Sequence, residues 1–208
     1  MSAFVETSLG RVIGSRFDGI DRFLGLPYAE PPLGKLRFAP SVLWTAPWSE
    51  ARDATNFGPT CHQTTGYWDT DPTEHPKTAP YPPPPSEDCL SLNLYRPTPP
   101  PGPAPPSPPP LLPVLVWFHG GGFCGGAGSL AWHNGTSLAR RGLLVVTLNY
   151  RLGPLGFLAS LELARQYGAD GGLNGARDVI TALRWVRPRS VHTAATRRTG
   201  ISLGEVGS

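Results

Sequence analysis

Leu112-Pro113-Val114-Leu115-Val116-Trp117-Phe118-His119-Gly120-Gly121-Gly122-Phe123 is the run on which the reading of this chain turns. Its first half is continuously apolar and rich in β-branched and aromatic residues. That pattern suits a strand buried on both faces of a mostly parallel sheet. Its second half is a sudden string of glycines. Without Cβ atoms the backbone can turn tightly there and present its N–H groups unobstructed. N–H groups converging on one point stabilise the negative oxygen of a tetrahedral intermediate. A short glycine run is weakly specific by itself, and a plain turn at a strand end fits it as well.

The neighbouring segments extend the pattern. Leu143 to Arg151, LLVVTLNYR, is a second continuous apolar run and a second buried strand. Between the two strands, SLAWHNGTSLARRG reads as a crossover helix ending at Gly142. Such a strand–helix–strand unit crosses over right-handed. A further helix is expected through Ala176 to Val186, with Val179, Ile180, Ala182, Leu183 and Val186 on its apolar face. Upstream, VETSLGRVIG alternates around Leu9-Gly10 as a hairpin, and Ser91 to Pro97 reads as a strand. Residues 61 to 88 are polar and irregular. Residues 97 to 113 are dense in proline and predict an extended, solvated connection, or a ligand for a proline-recognition module.

Composition narrows the class. The chain has 208 residues, 39% hydrophobic and 16% charged, enough for one domain with a core. The net charge of +3 is small and the basic residues are scattered. No nucleic-acid-binding motif or phosphate-tracking surface is evident. No apolar run reaches the ~18 residues of a membrane span, and no signal-peptide pattern opens the chain. Cys61, Cys89 and Cys124 are three cysteines, so one bridge and one free thiol are possible. No Cys or His pair has zinc-ligand spacing, and no metal or cofactor is expected.

Taken together, the blocks resemble the type-B carboxylesterase and cholinesterase family. Phe23 to Phe38, FLGLPYAEPPLGKLRF, is similar to its N-terminal block, and Ser86 to Asn93, SEDCLSLN, to its second signature. LPVLVWFHGGGF and VVTLNYRLGPLGFL resemble its central strands, and GGLNGARDVITALRWV the helix before its nucleophile strand. Other α/β-hydrolases share HGGG but not the other blocks. The resemblance implies an α/β fold, an incomplete α/β-hydrolase. It would comprise a small N-terminal β-sheet and the first strands and helices of a central, mostly parallel sheet. It also implies that Gly121 and Gly122 supply oxyanion-hole N–H groups, with His119 supporting the loop through hydrogen bonds. Cys61 and Cys89 would form a disulfide, leaving Cys124 unpaired. Arg37–Glu87 and Arg151–Asp178 would be buried ion pairs. That disulfide and the sequon Asn134-Gly135-Thr136 favour a secreted or ER-lumenal setting.

After Val186 the likeness stops. Residues 187 to 208 do not read as the family's Phe-Gly-Gly-Asp-Pro loop and Gly-Glu-Ser-Ala-Gly turn, and the place of the serine is taken by Val206. A valine cannot form an acyl-enzyme. Shifted by two bases, degenerate codons at 194 to 197 permit Gly-Gly-Asp-Pro, so a frameshift or mis-spliced exon would explain the change. The domain reading is therefore residues 1–186 as the N-terminal part of a carboxylesterase type-B domain and 187–208 as a non-family tail. The acid and histidine of the family's triad fall beyond this stretch, and His62, His75, His133 and His192 have no recognisable triad partner.

Three functions compete. The first is a carboxylic-ester hydrolase using a serine acyl-enzyme, with this stretch inactive as written. The second is a cholinesterase-like adhesion protein that keeps the fold without the nucleophile. The third is a non-functional product whose central sheet ends in a bare edge. The partner of the intact family would be a small-molecule carboxylic ester. A choline ester is disfavoured, because the family's choline-site tryptophan lies late in the 61–89 loop and here the loop's tryptophan is Trp68, near its start.

Overall fold

A computed structural model describes residues 1–63, 81–100, 112–190 and 195–203, with no side-chain detail beyond residue 187. The proline-dense segment from 101 to 111, Trp68, His75 and His192 lie outside the described residues.

The chain begins with the expected hairpin. β1 (Ser2–Thr7) and β2 (Gly10–Phe17) pair antiparallel from Ser2–Ser15 to Thr7–Gly10. The Thr7 hydroxyl accepts the Leu9 N–H at 3.1 Å and donates to the Gly10 carbonyl at 2.8 Å, which closes the turn. β3 (Ile20–Pro27) follows antiparallel, and the two-residue β4 (Arg52–Asp53) lies parallel to β2. β5 (Ser91–Pro97) pairs antiparallel with β3 and with β7 (Leu144–Leu148). The hairpin sheet is thus continuous with the central one. The parallel part expected from the apolar runs is β7, β6 (Leu112–Phe118) and β8 (Ala195–Leu203). The strand order is β1-β2-β3-β5-β7-β6-β8. Every residue of β7 is buried, as its uninterrupted apolar sequence requires.

β8 runs parallel to β6 with Leu203 opposite Phe118, so among the described residues β8 is the last strand of the sheet and is paired on one side.

The crossover between β6 and β7 also differs from the expected helix. It consists of a 3₁₀ turn at Ala131–His133 and a four-residue helix, α1 (Thr136–Ala139). Asn134 interrupts it by accepting the Thr136 N–H on its side-chain oxygen at 2.9 Å, a local bond that competes with helix. Gly135 lies so close to the β5–β7 face that a Cβ there would sit 2.7 Å from the Tyr95 ring and 2.8 Å from Val145. The chain passes under that face instead of standing off as a helix.

α2 (Gly153–Phe157) and α3 (Leu161–Tyr167) lead to α4 (Asn174–Ser190), the one long helix described. Ala182, Trp185 and Val186 are buried in the main core, with Val179 and Leu183 packed against it. Ile180 does not join them and is 48% exposed, turned toward the glycine-rich loop's side of the sheet.

The ion pairs and cysteines separate into kept and corrected expectations. Arg151 and Asp178 meet at 2.7 Å with side chains 1% and 0% exposed, and Arg151 also donates to the carbonyls of Arg37 and Ala39 at 3.0 and 2.8 Å. One guanidinium therefore ties the end of β7, the helix α4 and the 37–39 loop together. Burial pulls its pKa down, but the hydrogen bonds and charge of Asp178 outweigh this and leave it raised. Arg37–Glu87 pairs at 2.6 Å but is not buried, since 47% of the Arg37 side chain is exposed at the loop surface. Cys61 and Cys89 do not form the expected disulfide: both are buried free thiols. Cys61 Sγ accepts the Leu152 N–H at 3.2 Å. Cys124 is free and exposed.

Candidate active site

The glycine run leaves β6 at its carboxyl end and turns at once. Gly121 has φ +117°, Gly122 φ +57° and Phe123 φ +62°, three successive left-handed residues. Glycine is needed at Gly121 on two counts. Its φ is closed to most L-residues, and a Cβ there would collide with the Gly125 carbonyl.

Hydrogen bonds fix the direction of both peptides that the sequence singles out. The Gly120 carbonyl accepts a hydrogen bond from His119 Nδ1–H at 2.8 Å. The Gly121 carbonyl accepts the N–H groups of Cys124 at 3.0 Å and Gly125 at 3.1 Å. In a trans peptide the N–H points opposite to its own carbonyl. Anchoring the Gly120 carbonyl therefore aims the Gly121 N–H away from the imidazole. Anchoring the Gly121 carbonyl aims the Gly122 N–H out of the turn. Neither N–H has a hydrogen-bond partner among the described residues, and both glycines are exposed.

His119 is held on several sides. It is 3% exposed and stacks on Tyr150 with ring centroids 4.5 Å apart. The Tyr150 hydroxyl donates to the His119 carbonyl at 2.7 Å. With Nδ1–H committed to Gly120, the ring is a neutral tautomer and Nε2 is a buried acceptor with no partner among the described residues. Burial lowers its pKa to about 4, the bond to Gly120 opposes this, and nearby His133 lowers it further. His133 is half-buried beside it. Its Nδ1 lies 2.8 Å from the Ala127 carbonyl, and its ring is 5.6 Å from Trp117 and 6.3 Å from His119. Burial lowers its pKa as well.

The far end of the loop is pinned by β7 and its exit. Thr147 donates to the Gly128 carbonyl at 2.8 Å, and Asn149 Oδ1 accepts the Gly128 N–H at 2.8 Å. Gly153 N–H reaches the Phe123 carbonyl at 2.7 Å. Sequence reasoning passed over Tyr150, Thr147 and Asn149. Their only signal was polarity at the end of an otherwise apolar strand.

Beside the loop lies a cavity of about 380 Å³ walled by Phe118, Phe123, Tyr150, Phe157, Val179 and Ile180. Among the described residues no charged side chain lines it. Among the described residues no cluster of His, Cys, Asp or Glu could hold a metal ion. No described helix is long and apolar enough to cross a membrane.

Comparison with known proteins shows the family and the fold. The Carboxylesterase family model matches residues 1–190. The chain is 40% identical over 188 residues to para-nitrobenzyl esterase of Bacillus subtilis (strain 168), covering 88% of this chain and 34% of that protein. It is 39% identical over 191 residues to acetylcholinesterase of Electrophorus electricus, covering 88% of this chain and 28% of that one. A solved PNB esterase superposes with a TM-score of 0.79 at 35% identity, over 96% of this chain and 38% of its own. The chain thus spans about a third of the length of these relatives. With its α/β-hydrolase-type sheet and its glycine loop, the chain belongs to the Carboxylesterase family.

Proposed function

We propose that these residues are the oxyanion-stabilising part of a serine carboxylic-ester hydrolase. The observation that carries the reading is the pair of anchored carbonyls, on Gly120 and Gly121, which leaves the N–H groups of Gly121 and Gly122 unpartnered and directed outward. A serine oxygen adds to the ester carbonyl and the carbonyl oxygen takes up negative charge. The Gly121 and Gly122 N–H groups hold that oxygen. Collapse of the intermediate expels the alcohol, and water releases the acid from the acyl-enzyme. Each such donor accounts for roughly 10²–10³ in rate. The uncharged, aromatic-rich cavity beside the loop favours an uncharged carboxylic ester, the substrate class we assign.

The serine is not supplied by residues 187 to 208. Leu203 ends β8 opposite Phe118, and Val206 follows three residues later where a nucleophile falls due. We read residues 187–208 as a tail foreign to the family, produced by a frameshift or mis-spliced exon.

Two experiments test this. The 208 residues made by themselves should neither hydrolyse p-nitrophenyl esters nor take a fluorophosphonate label on any serine; labelling would overturn the assignment of Val206. The coding sequence beyond codon 186, read two bases out of frame, should resume Gly-Gly-Asp-Pro and Gly-x-Ser-x-Gly. The protein expressed in that frame should hydrolyse p-nitrophenyl esters. Its failure to do so, once folded, would remove the esterase reading.

A further inference from the structure

The loop from His119 to Gly128 contains six glycines and has little intrinsic preference for one conformation. It is held at one point by a residue from a distant part of the chain. Gln63, two residues after Cys61, closes its side-chain amide on Gly126. Its Oε1 accepts the Gly126 N–H at 2.7 Å, and its Nε2 donates to the Gly126 carbonyl at 3.0 Å and to the Cys61 carbonyl at 3.1 Å. A single side chain thus satisfies both backbone groups of Gly126, as a neighbouring strand would.

The connection to the glycine pair is short. Gly125 immediately precedes Gly126, and its N–H is one of the two donors to the Gly121 carbonyl. That carbonyl belongs to the peptide whose N–H is that of Gly122. Displacing Gly125 and Gly126 would leave the Gly121 carbonyl with Cys124 N–H as its one donor, loosening the peptide, and the Gly122 N–H would shift with it. Among the described residues no other side chain hydrogen-bonds Gly125 or Gly126.

We propose that Gln63 is a positioning residue for the oxyanion donors, clamping Gly125-Gly126 so that the Gly122 N–H stays directed. The proposal rests on the reading of Gly121 and Gly122 as those donors. An uncharged amide suits this place. It supplies donor and acceptor together without setting a fixed charge beside a site that must respond to a transient one.

The test uses the 208-residue protein labelled with ¹⁵N-glycine. Two variants are compared with it by amide NMR and hydrogen exchange. Gln63→Leu removes all three bonds at similar volume. Gln63→Glu keeps an acceptor for the Gly126 N–H and loses the donor. In Gln63→Leu the Gly126 amide should exchange about tenfold faster, the loss of one protecting hydrogen bond. The Gly121 and Gly122 resonances should move with it, while the amides of Leu144–Leu148 stay as in the parent. Gln63→Glu should restore the protection of Gly126 and return Gly121 and Gly122 part of the way.

Gly121 and Gly122 resonances that superimpose on the parent in both variants would overturn the proposal. So would equal disturbance of β7, which would make Gln63 a general support of the fold. If Gln63→Leu does not fold, Gln63→Glu decides by the same two comparisons. No hydrolysis enters the readout. A failed esterase assay would leave the clamp standing, and superimposed spectra would remove the clamp without touching the esterase reading.

Discussion

Tyr150 holds His119 twice, stacking on its ring with centroids 4.5 Å apart and donating its hydroxyl to its backbone carbonyl at 2.7 Å. The first contact keeps the imidazole flat against the end of β7. The second fixes the residue from which the glycine run departs. Burial pushes the phenol up to about 12, so the hydroxyl stays a donor throughout the range in which the protein is studied.

Removing that hydroxyl alone should therefore be felt. Tyr150→Phe preserves the stack and leaves the buried His119 carbonyl without its donor. The expected cost is about 1–2 kcal/mol. Urea unfolding of the two proteins measures it, and coincident curves would show that the bond contributes nothing.

The two central glycines should differ in their tolerance of a methyl group. At Gly121 a Cβ collides with the Gly125 carbonyl and φ is +117°. At Gly122 no atom lies within 4 Å and the strain is that of φ +57° alone. Gly122→Ala should cost roughly 1–2 kcal/mol. Gly121→Ala should cost more, about 2–4 kcal/mol, because steric displacement adds to the strain. Thermal melts rank the pair, and the opposite order would contradict the loop geometry.

Asp178→Ala strands the Arg151 guanidinium at a site where its side chain is 1% exposed. Breaking one partner of a buried pair costs about 3–5 kcal/mol, whereas replacing both by apolar residues can be near neutral. Arg151→Met with Asp178→Leu should accordingly be less destabilised than Asp178→Ala. A double-mutant cycle by chemical denaturation checks this.

The neutral His119 gives the fold an acid limit. Its pKa is about 4 in the folded chain against an ordinary 6.5. Below pH 6.5 the unfolded chain takes up a proton that the folded chain refuses until about pH 4. Stability from this group is complete above 6.5 and falls as the pH drops. The loss by pH 4 is on the order of 3 kcal/mol. His119→Asn keeps a donor near the Gly120 carbonyl and cannot titrate. It should lose less stability than the parent between pH 7 and 4.5, as followed by thermal midpoint.

Much of this was legible in the residues. The continuous apolar runs mark both strands, β6 and β7, but only β7 is buried at every position; in β6 Val114 and Val116 are buried while Leu115, Trp117 and Phe118 are half-buried. The Leu9-Gly10 hairpin follows from alternation. The blocks flanking HGGGF identified the family where the glycines alone could not. Less visible were features set by distant partners. Gly135 looks like part of a helix until the nearness of Tyr95 and Val145 is known. Ile180 fits the apolar side of α4 by spacing, yet it lines the cavity while Ala182, Trp185 and Val186 fill the core. Cys61 and Cys89 are neighbours, as the resemblance implied, but remain thiols. Gln63 carried no signal at all, since a glutamine in a polar loop is unremarkable until its amide meets Gly126.

The uncharged character of His119 reaches past stability. Among the described residues the glycine loop and the cavity beside it present dipoles to whatever binds there, with no permanent cation on the wall. Oriented dipoles favour a charge that appears briefly at one point, but they offer a resident anion less than a lysine or arginine would. On the proposed esterase reading, a carboxylate formed in that space would have little to hold it, and a neutral ester would lose little on entering. The same restraint that keeps an imidazole unprotonated would thus let an acidic product leave as readily as its precursor arrived.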